Sequence, residues 1–350
     1  MRGRATIVGA GIAGLATARA LCAAGWEVTV LEREPFLSTA GTQLGIWPGA
    51  WRTLQELGVA ERLGAVAIGV TGGELLRPDG RVLARIAPGG TLRLAPRMEL
   101  LEALLGGLPE GTVRWSTRAG PSSPPPSADV VVAADGIHSA VRAAAFPRAR
   151  LRDTGVVAFR GVAPIPVAGT AETWGRGQIF GTSPFPGGGT NWYAGVAAEL
   201  AGTRGPDLHD EDPLAVLRRL YAGWHRGVQR VLDAVPEGGV DRRRIAQSVP
   251  LDSFVSANTV LVGDAAHAMA PHLGRGGCEA LTDGLTLAES LVRAPTVAEG
   301  LARYDHARRR SSQRIVRASA LVSRISNRTW RPGARDGLLT AIGTVARHRP

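Results

Sequence analysis

The sequence predicts an α/β protein: a Rossmann-like dinucleotide-binding domain, interrupted by an inserted mixed-sheet domain and closed by C-terminal helices. Three observations carry this. A strand-like run, a glycine cluster and an alanine-rich helix-like run open the chain in the order a βαβ unit requires. Strand-like pieces crowd residues 154–198, enough for a second sheet. A strand over 259–262 then leads back to the first domain, and two long helical segments follow it.

The elements come in order. Residues 4–8 (Arg-Ala-Thr-Ile-Val) read as a short buried strand, 11–24 as a helix, and 27–31 (Glu-Val-Thr-Val-Leu) as a second strand. Helical spacing returns around Trp51, Leu54 and Leu57, and again over 98–106 with Leu100, Leu101, Leu104 and Leu105. Residues 68–96 carry the Gly and Pro punctuation of strands and turns. The stretch 120–127 must be a loop, because its prolines lack amide donors and fix the backbone. Asp129–Ala134 re-enters the first sheet. Within 154–198 a break is expected over Gly181–Asn191, which holds Pro184, Pro186 and three consecutive glycines. Helical patches follow near 211–223 and 227–234, then a helix over 274–292 and a longer one over 297–329. On the last, Leu301, Tyr304, Ile315, Val322 and Ile325 fall near one face, with arginines on the others. The expected domains are 1–150 and 251–350, two parts of the dinucleotide-binding domain, around 151–250, the substrate domain.

Composition bounds the function. At 350 residues, 44% hydrophobic and 20% charged, the chain can bury cores for two joined domains. No run of 18 uncharged apolar residues suggests a membrane span, and charges over 303–335 argue against a tail anchor. Arg2 and Arg4 before a small-residue stretch mimic a secretory signal, but its removal would remove the glycine cluster, so the cytoplasm is expected. Two cysteines, Cys22 and Cys278, give neither a disulfide framework nor a metal-ligand pattern, and no metal is expected. The net charge is +11, yet all 41 basic residues are arginine, which together with 46 glycines reads as codon bias. No nucleic acid is expected; an acidic carrier protein is a partner the charge would suit.

Three motifs carry the chemistry. In Gly9-Ala10-Gly11-Ile12-Ala13-Gly14, Gly9 permits the tight turn, Gly11 lets the backbone approach a pyrophosphate, and Gly14 allows close helix-to-strand packing. Free amides and the helix dipole favour an anion there. Glu32, eighteen residues after Gly14 and followed by Arg33, is placed to accept hydrogen bonds from an adenosine ribose. The second motif is Asp135-Gly136-Ile137-His138-Ser139-Ala140-Val141-Arg142, whose Asp and Arg are expected both to pair with each other, holding a turn, and to serve a phosphate. The third, Gly263-Asp264-Ala265-Ala266-His267, runs on into Pro271-His272-Leu273-Gly274-Arg275-Gly276-Gly277. Zinc-type cysteine pairs, a Gly-x-Ser-x-Gly elbow and a Walker loop are all absent, the last because the chain has no lysine.

Together these motifs resemble the single-component FAD-dependent aromatic hydroxylases, monooxygenases of the p-hydroxybenzoate hydroxylase fold. The resemblance covers most of the chain. It implies FAD as cofactor and NAD(P)H as transient co-substrate, with O2 captured as a flavin C4a-hydroperoxide and one oxygen inserted into a small, aromatic or polycyclic substrate. It assigns Gly263 and Asp264 to the ribityl chain, and Pro271, Gly274, Arg275, Gly276 and Gly277 to the flavin ring. Asp135 and Arg142 fall near the pyrophosphate, and Arg97 matches a basic position used on the phosphate or ribityl region. Arg275 stands where relatives often have Gln, and Cys278 where they often have Asn. The flavin-dependent halogenases are set aside, because their essential Lys and Trp-x-Trp-x-Ile-Pro segment are missing. His272 is the candidate for touching substrate or moving a proton, and Trp174, Trp192 and Tyr193 are candidates for lining the substrate pocket. Alternatives are an FAD-dependent reductase or dehydrogenase of the same superfamily, and a non-catalytic flavin-binding sensor or interaction protein.

Overall fold

In the computed structural model, which describes residues 3–86, 90–119, 128–202 and 211–327, the opening segments form the βαβ unit. These are β1 (Arg4–Val8), α1 (Ile12–Ala23) and β2 (Glu27–Leu31). β1 pairs in parallel with β2 on one side and with β9 (Val130–Ala133) on the other. The sheet runs β15 (Val255–Ser256), β16 (Thr259–Leu261), β9, β1, β2, β8 (Val113–Arg114), and only edge strand β15 is antiparallel. Its Val- and Ile-rich strands suit a parallel sheet covered on both faces. α1 packs against α9 (Gly276–Arg293), and α10 (Val297–Ser326) lies along α9. α4 (Arg97–Leu105) buries Leu100, Leu101 and Leu104 in the same core.

The second sheet has the order β14 (Asp241–Ser248), β10 (Leu151–Ala163), β13 (Gly189–Ala197), β12 (Gln178–Phe185), β11 (Thr170–Trp174), β5 (Gly73–Leu76), β6 (Val82–Ile86). It is antiparallel except for the β11–β5 pair, so it is mixed, as expected. β5 and β6 come from inside residues 1–150, so the chain visits this sheet before the expected boundary at 150. A three-stranded antiparallel sheet, β3 (Gln43–Ile46), β7 (Leu92–Pro96) and β4 (Ile68–Val70), bridges to it. Gln43 Nε2 donates to the Pro184 carbonyl at 2.9 Å, and the Ser183 hydroxyl donates to Gln43 Oε1 at 2.9 Å.

The strand period of two sorts the second sheet's side chains. One face carries Phe159, Phe180, Trp192 and Val196, buried under α6 (Pro213–Tyr221) and α7 (Arg226–Ala234). The other face carries Arg160, Tyr193 and Glu172 and turns toward the first domain.

Two expectations are corrected. The break over Gly181–Asn191 shrinks to residues 186–188, where Gly187 and Gly188 take positive φ, and both strands run up to this turn. Pro184 is tolerated because β11 pairs only as far as Thr182, leaving a strand side that needs no donor. On α10 the buried face holds Leu301, Tyr304, Arg308, Ser312, Val316, Ser319 and Ser323, while Ile325 is exposed. The reason is that α10 lies over buried acids of α9, which Arg308 satisfies, while buried serines of α10 donate to backbone carbonyls, Ser312 to Arg308 and Ser319 to Ala270. The loop expected at 120–127 and the end of the helix expected at 328–329 lie outside the described residues.

Candidate functional site

The three motifs converge at the carboxyl ends of β1, β9 and β16. Gly9 has φ +104°, and a Cβ there would fall 2.5 Å from the Ala134 carbonyl oxygen, so only glycine lets β1 and β9 end side by side. A Cβ on Gly14 would lie 1.9 Å from the Gly9 carbonyl, which fixes how closely α1 sits on β1. Gly11, in contrast, faces open space, with nothing within 4 Å. It caps α1 without a side-chain hydrogen bond, and no acid occupies the first turn. The free amides therefore meet an open cradle, as an anionic ligand requires.

Glu32 closes this cradle. Its Oε2 accepts from the Ala10 amide at 2.7 Å and its Oε1 from the Glu34 amide at 3.0 Å. A carboxylate offers about four acceptor positions, so two remain for hydroxyl donors. Arg33 instead points to solvent and pairs with Glu34. Ile12 and Leu44 pack against Gly277, and Ala13 against Gly263, so the first motif touches the third.

Arg142 does not pair with Asp135. Its guanidinium donates to the carbonyls of Ile137, Asp264 and Ala265, tying the second motif to the third. Asp135 accepts from the Val141 amide through Oδ2, while its buried Oδ1 has no partner. Such an orphan acceptor suits a hydroxyl or water of a bound ligand. His138 is exposed.

Asp264 opens α8 (Asp264–His267) at the floor of the groove, where water still reaches it. The surrounding protein raises its pKa by desolvation, against the pull of His267, Arg142 and Arg97. Arg97, at the start of α4, donates to the Ser38 carbonyl at 2.8 Å. Its pKa is lowered by burial and by Arg160, with Asp264 acting the other way. An orphan carboxylate oxygen, two neighbouring cations and an unfilled helix start fit a dinucleotide with a polyol chain: FAD would be held by Glu32, Arg97, Asp135 and Asp264.

The comparisons with known proteins agree. Residues 4–182 match the family described as FAD dependent oxidoreductase, and residues 194–319 the one described as FAD binding domain. The chain is 30% identical over 343 residues to aurachin C monooxygenase/isomerase of Stigmatella aurantiaca, covering 91% of this chain and 88% of that protein. The chain belongs to the FAD-dependent aromatic hydroxylase and monooxygenase family. It is 29% identical over 374 residues to 2-heptyl-3-hydroxy-4(1H)-quinolone synthase of Pseudomonas aeruginosa, covering 98% and 95%. Among solved structures, Klebsiella pneumoniae HpxO complexed with FAD and uric acid superposes with TM-score 0.87 at 21% identity, covering 97% of this chain and 92% of that one.

In this FAD-dependent monooxygenase the remaining expected residues divide. Arg275 folds back along α9 to Glu279 at 2.7 Å and lies over the Trp47 ring at 5.7 Å, so it is neither free nor purely solvent-facing. Cys278 is a small packed residue whose thiol donates to the Gly45 carbonyl. His272 accepts through Nε2 from Asn327 at 2.9 Å, and burial lowers its pKa to about 4, so it is neutral at working pH. Trp192 is corrected: it is fully buried and stacks on Phe180 at 5.8 Å within the α6–α7 core, away from the motifs. Tyr193 and Trp174 lie on the opposite, motif-facing side.

Two groups escaped the sequence reading. One is a buried ion network in which His267 pairs with Asp283, Asp283 with Arg308, Arg308 with Glu279 and Glu279 with Arg275. The signal for it was available: Arg308 follows Tyr304 by one helical turn. The other is Glu172, an acid on a half-buried strand. A separate concavity lies on the far face of the second sheet, among Phe180, Thr173 and His225, and no motif residue reaches it.

Proposed function

We propose that the groove between the Pro271–Gly277 segment and the motif-facing side of the second sheet holds a small heteroaromatic substrate, into which the enzyme inserts one oxygen atom from O2 at the expense of NAD(P)H. The observation that carries this is the convergence of three distant motifs on one open cradle, beside a sheet face bearing Tyr193, Trp174 and Glu172. FAD, when bound, supplies hydride acceptance and oxygen activation. The chain supplies the rest. The amides at the start of α1 bind the pyrophosphate, Glu32 orients the ribose, and Asp264 and Asp135 accept from the polyol. At the start of α9, an end with no side-chain cap, Gly276 faces open space while Gly277 packs on Leu44 and Ile12, and amides there favour negative charge on the ring.

Relatives include an aurachin C monooxygenase/isomerase, a 2-heptyl-3-hydroxy-4(1H)-quinolone synthase and an FAD-dependent urate hydroxylase, beside a 3-amino-4-hydroxybenzoate 2-monooxygenase, which supports a monooxygenase acting on a nitrogen-bearing aromatic over a reductase or sensor role. Residues 1–150 and 251–350 are assigned to cofactor binding and 151–250 to substrate, with β5 and β6 lent to the substrate sheet. The working compartment is the cytoplasm, where NAD(P)H is supplied, and an acidic carrier protein fits the +11 charge. The test is a screen of nitrogen heteroaromatics for stimulation of NAD(P)H oxidation, with product mass measured. A true substrate accelerates oxidation and gains one oxygen; acceleration with no gain in mass would leave only the reductase reading.

A further inference from the structure

Across the second sheet one row of residues faces the motifs: Asp241, Arg160, Tyr193, Gly181, Glu172 and Leu75, each opposite the next in register. Arg160 begins the row beside the cofactor cradle, 3.8 Å from where a Cβ of Gly41 would lie and close enough to Arg97 to lower its pKa. Both Arg160 and Arg243 pair with Asp241, so two guanidiniums share one carboxylate and a net positive charge stays at this end of the row, three strand spacings from Glu172. Gly181 is the gap in the row. A Cβ there would come within 2.0 Å of the Tyr193 ring, so its absence lets the ring lie across β12 toward Glu172.

Glu172 lies beside the Trp174 ring and receives a hydrogen bond from the Tyr193 side chain, and burial pushes its carboxyl up to about 7. Leu75 is opposite it on β5, and Leu75 and Trp174 belong to an apolar cluster against which Val322 of α10 packs. A half-buried acid set between two aromatic side chains, with no ion pair among the described residues, is a costly arrangement for packing alone. A carboxylate offers about four acceptor positions, so room remains on Glu172 for a further donor. Tyr193 is 39% exposed on this face, so the row opens to the groove.

We propose that Glu172, presented by Tyr193 and Trp174, selects the substrate by accepting a hydrogen bond from an N–H or O–H of a neutral nitrogen heteroaromatic ring, and turns away aromatic carboxylates. The inference rests on the reading that this sheet face lines the substrate groove. Above about pH 7, where Glu172 is ionised, a carboxylate placed against it would bring two anions together in a poorly solvated site, a repulsion that discriminates as strongly as any attraction; the two-probe comparison below is therefore made at pH 8.5. A ring donor instead completes the acceptor set, and a charge-assisted bond of this kind is worth about tenfold or more in affinity.

The test is equilibrium dialysis of the FAD-loaded enzyme with two probes, 2-methyl-4(1H)-quinolone and salicylate, alongside FAD content per chain. The wild type should bind the quinolone at least about tenfold more tightly than salicylate. Glu172→Gln should cut that ratio about tenfold or more with FAD content unchanged, because the amide can also donate to a carboxylate. Tyr193→Phe should lower it in the same direction by about threefold, since it removes one support of the carboxylate, and it carries the test if Glu172→Gln fails to load FAD. A wild type that prefers salicylate or binds neither probe, or a ratio unchanged in the variants, would overturn the proposal. Dialysis does not depend on turnover, so failure of oxygen insertion would sink the monooxygenase reading and leave this ratio standing.

Discussion

Trp192 and Tyr193 are adjacent in β13, so the pleat turns one into the α6–α7 core and the other onto the motif-facing side. Both cannot line one pocket. This much was legible in the sequence, because a period of two forbids consecutive residues from sharing a face. Trp192→Ala should therefore cost stability, about 3–5 kcal/mol for a large core side chain, while folded molecules keep their FAD. Chemical denaturation and flavin content per folded chain check it; loss of flavin at unchanged stability would contradict it. Asp264→Asn should act oppositely, weakening FAD by roughly ten- to a hundredfold through a lost charged acceptor, with the fold retained. Glu172 makes a pH prediction. The folded state holds its proton up to about pH 7, whereas the unfolded chain releases it near 4.5. Stability from this group thus falls as pH rises through that window. The thermal advantage of Glu172→Gln over the wild type should be larger at pH 8 than at pH 5, and an equal advantage at both would refute the assignment.

At the scale of elements, the βαβ opening was readable almost residue by residue, because glycine spacing and apolar runs are local signals. α10 was readable in position but not in what it buries. Its pattern of Leu301, Tyr304 and Val322 suggested an apolar seam, yet the partner surface on α9 presents Glu279 and Asp283, both buried. Which residue a helix must bury depends on what it lies against, and that is not local. The consequence is a helix pair joined by charge. Arg308 Nε donates to Asp283 at 2.7 Å and its Nη2 to Glu279 at 2.6 Å. Asp283 also accepts from the Gly263 amide at 2.8 Å, so the network holds the turn that presents Asp264. Arg308→Ala should destabilise by about 3–5 kcal/mol, because two acids are left buried without their cation. Asp283 is held down to about 2 by His267 and Arg308 against its burial. Its contribution is present above the ordinary carboxylate value of 3.8 and lost as pH falls towards 2. The gap between wild type and Arg308→Ala should narrow over that range in urea denaturation; a gap independent of pH would remove Asp283 from the network.

At the scale of the whole molecule, the sequence could show that a second sheet exists but not how it is assembled. β5 and β6 join it through pairings that span about a hundred residues, Gly73 with Thr170 and Leu76 with Thr173. Nothing in strands this short names a distant partner. The cofactor cradle was legible because each of its motifs announces itself, and the substrate face was not, since Glu172 gains its meaning only from Gly181 and Tyr193 on neighbouring strands. Among the described residues no helix is long and apolar enough to cross a membrane, and no cluster of His, Cys, Asp and Glu could hold a metal ion. On the proposed reading, the cradle, the ion network behind it and the acid across from it make up one site for flavin-based oxygen insertion. Its most direct test is turnover of the best-stimulating heteroaromatic under isotopically labelled O2, with NAD(P)H as reductant and the product analysed by mass. One labelled oxygen atom in the product is the predicted result, whereas a transformed product carrying no label would contradict the monooxygenase assignment.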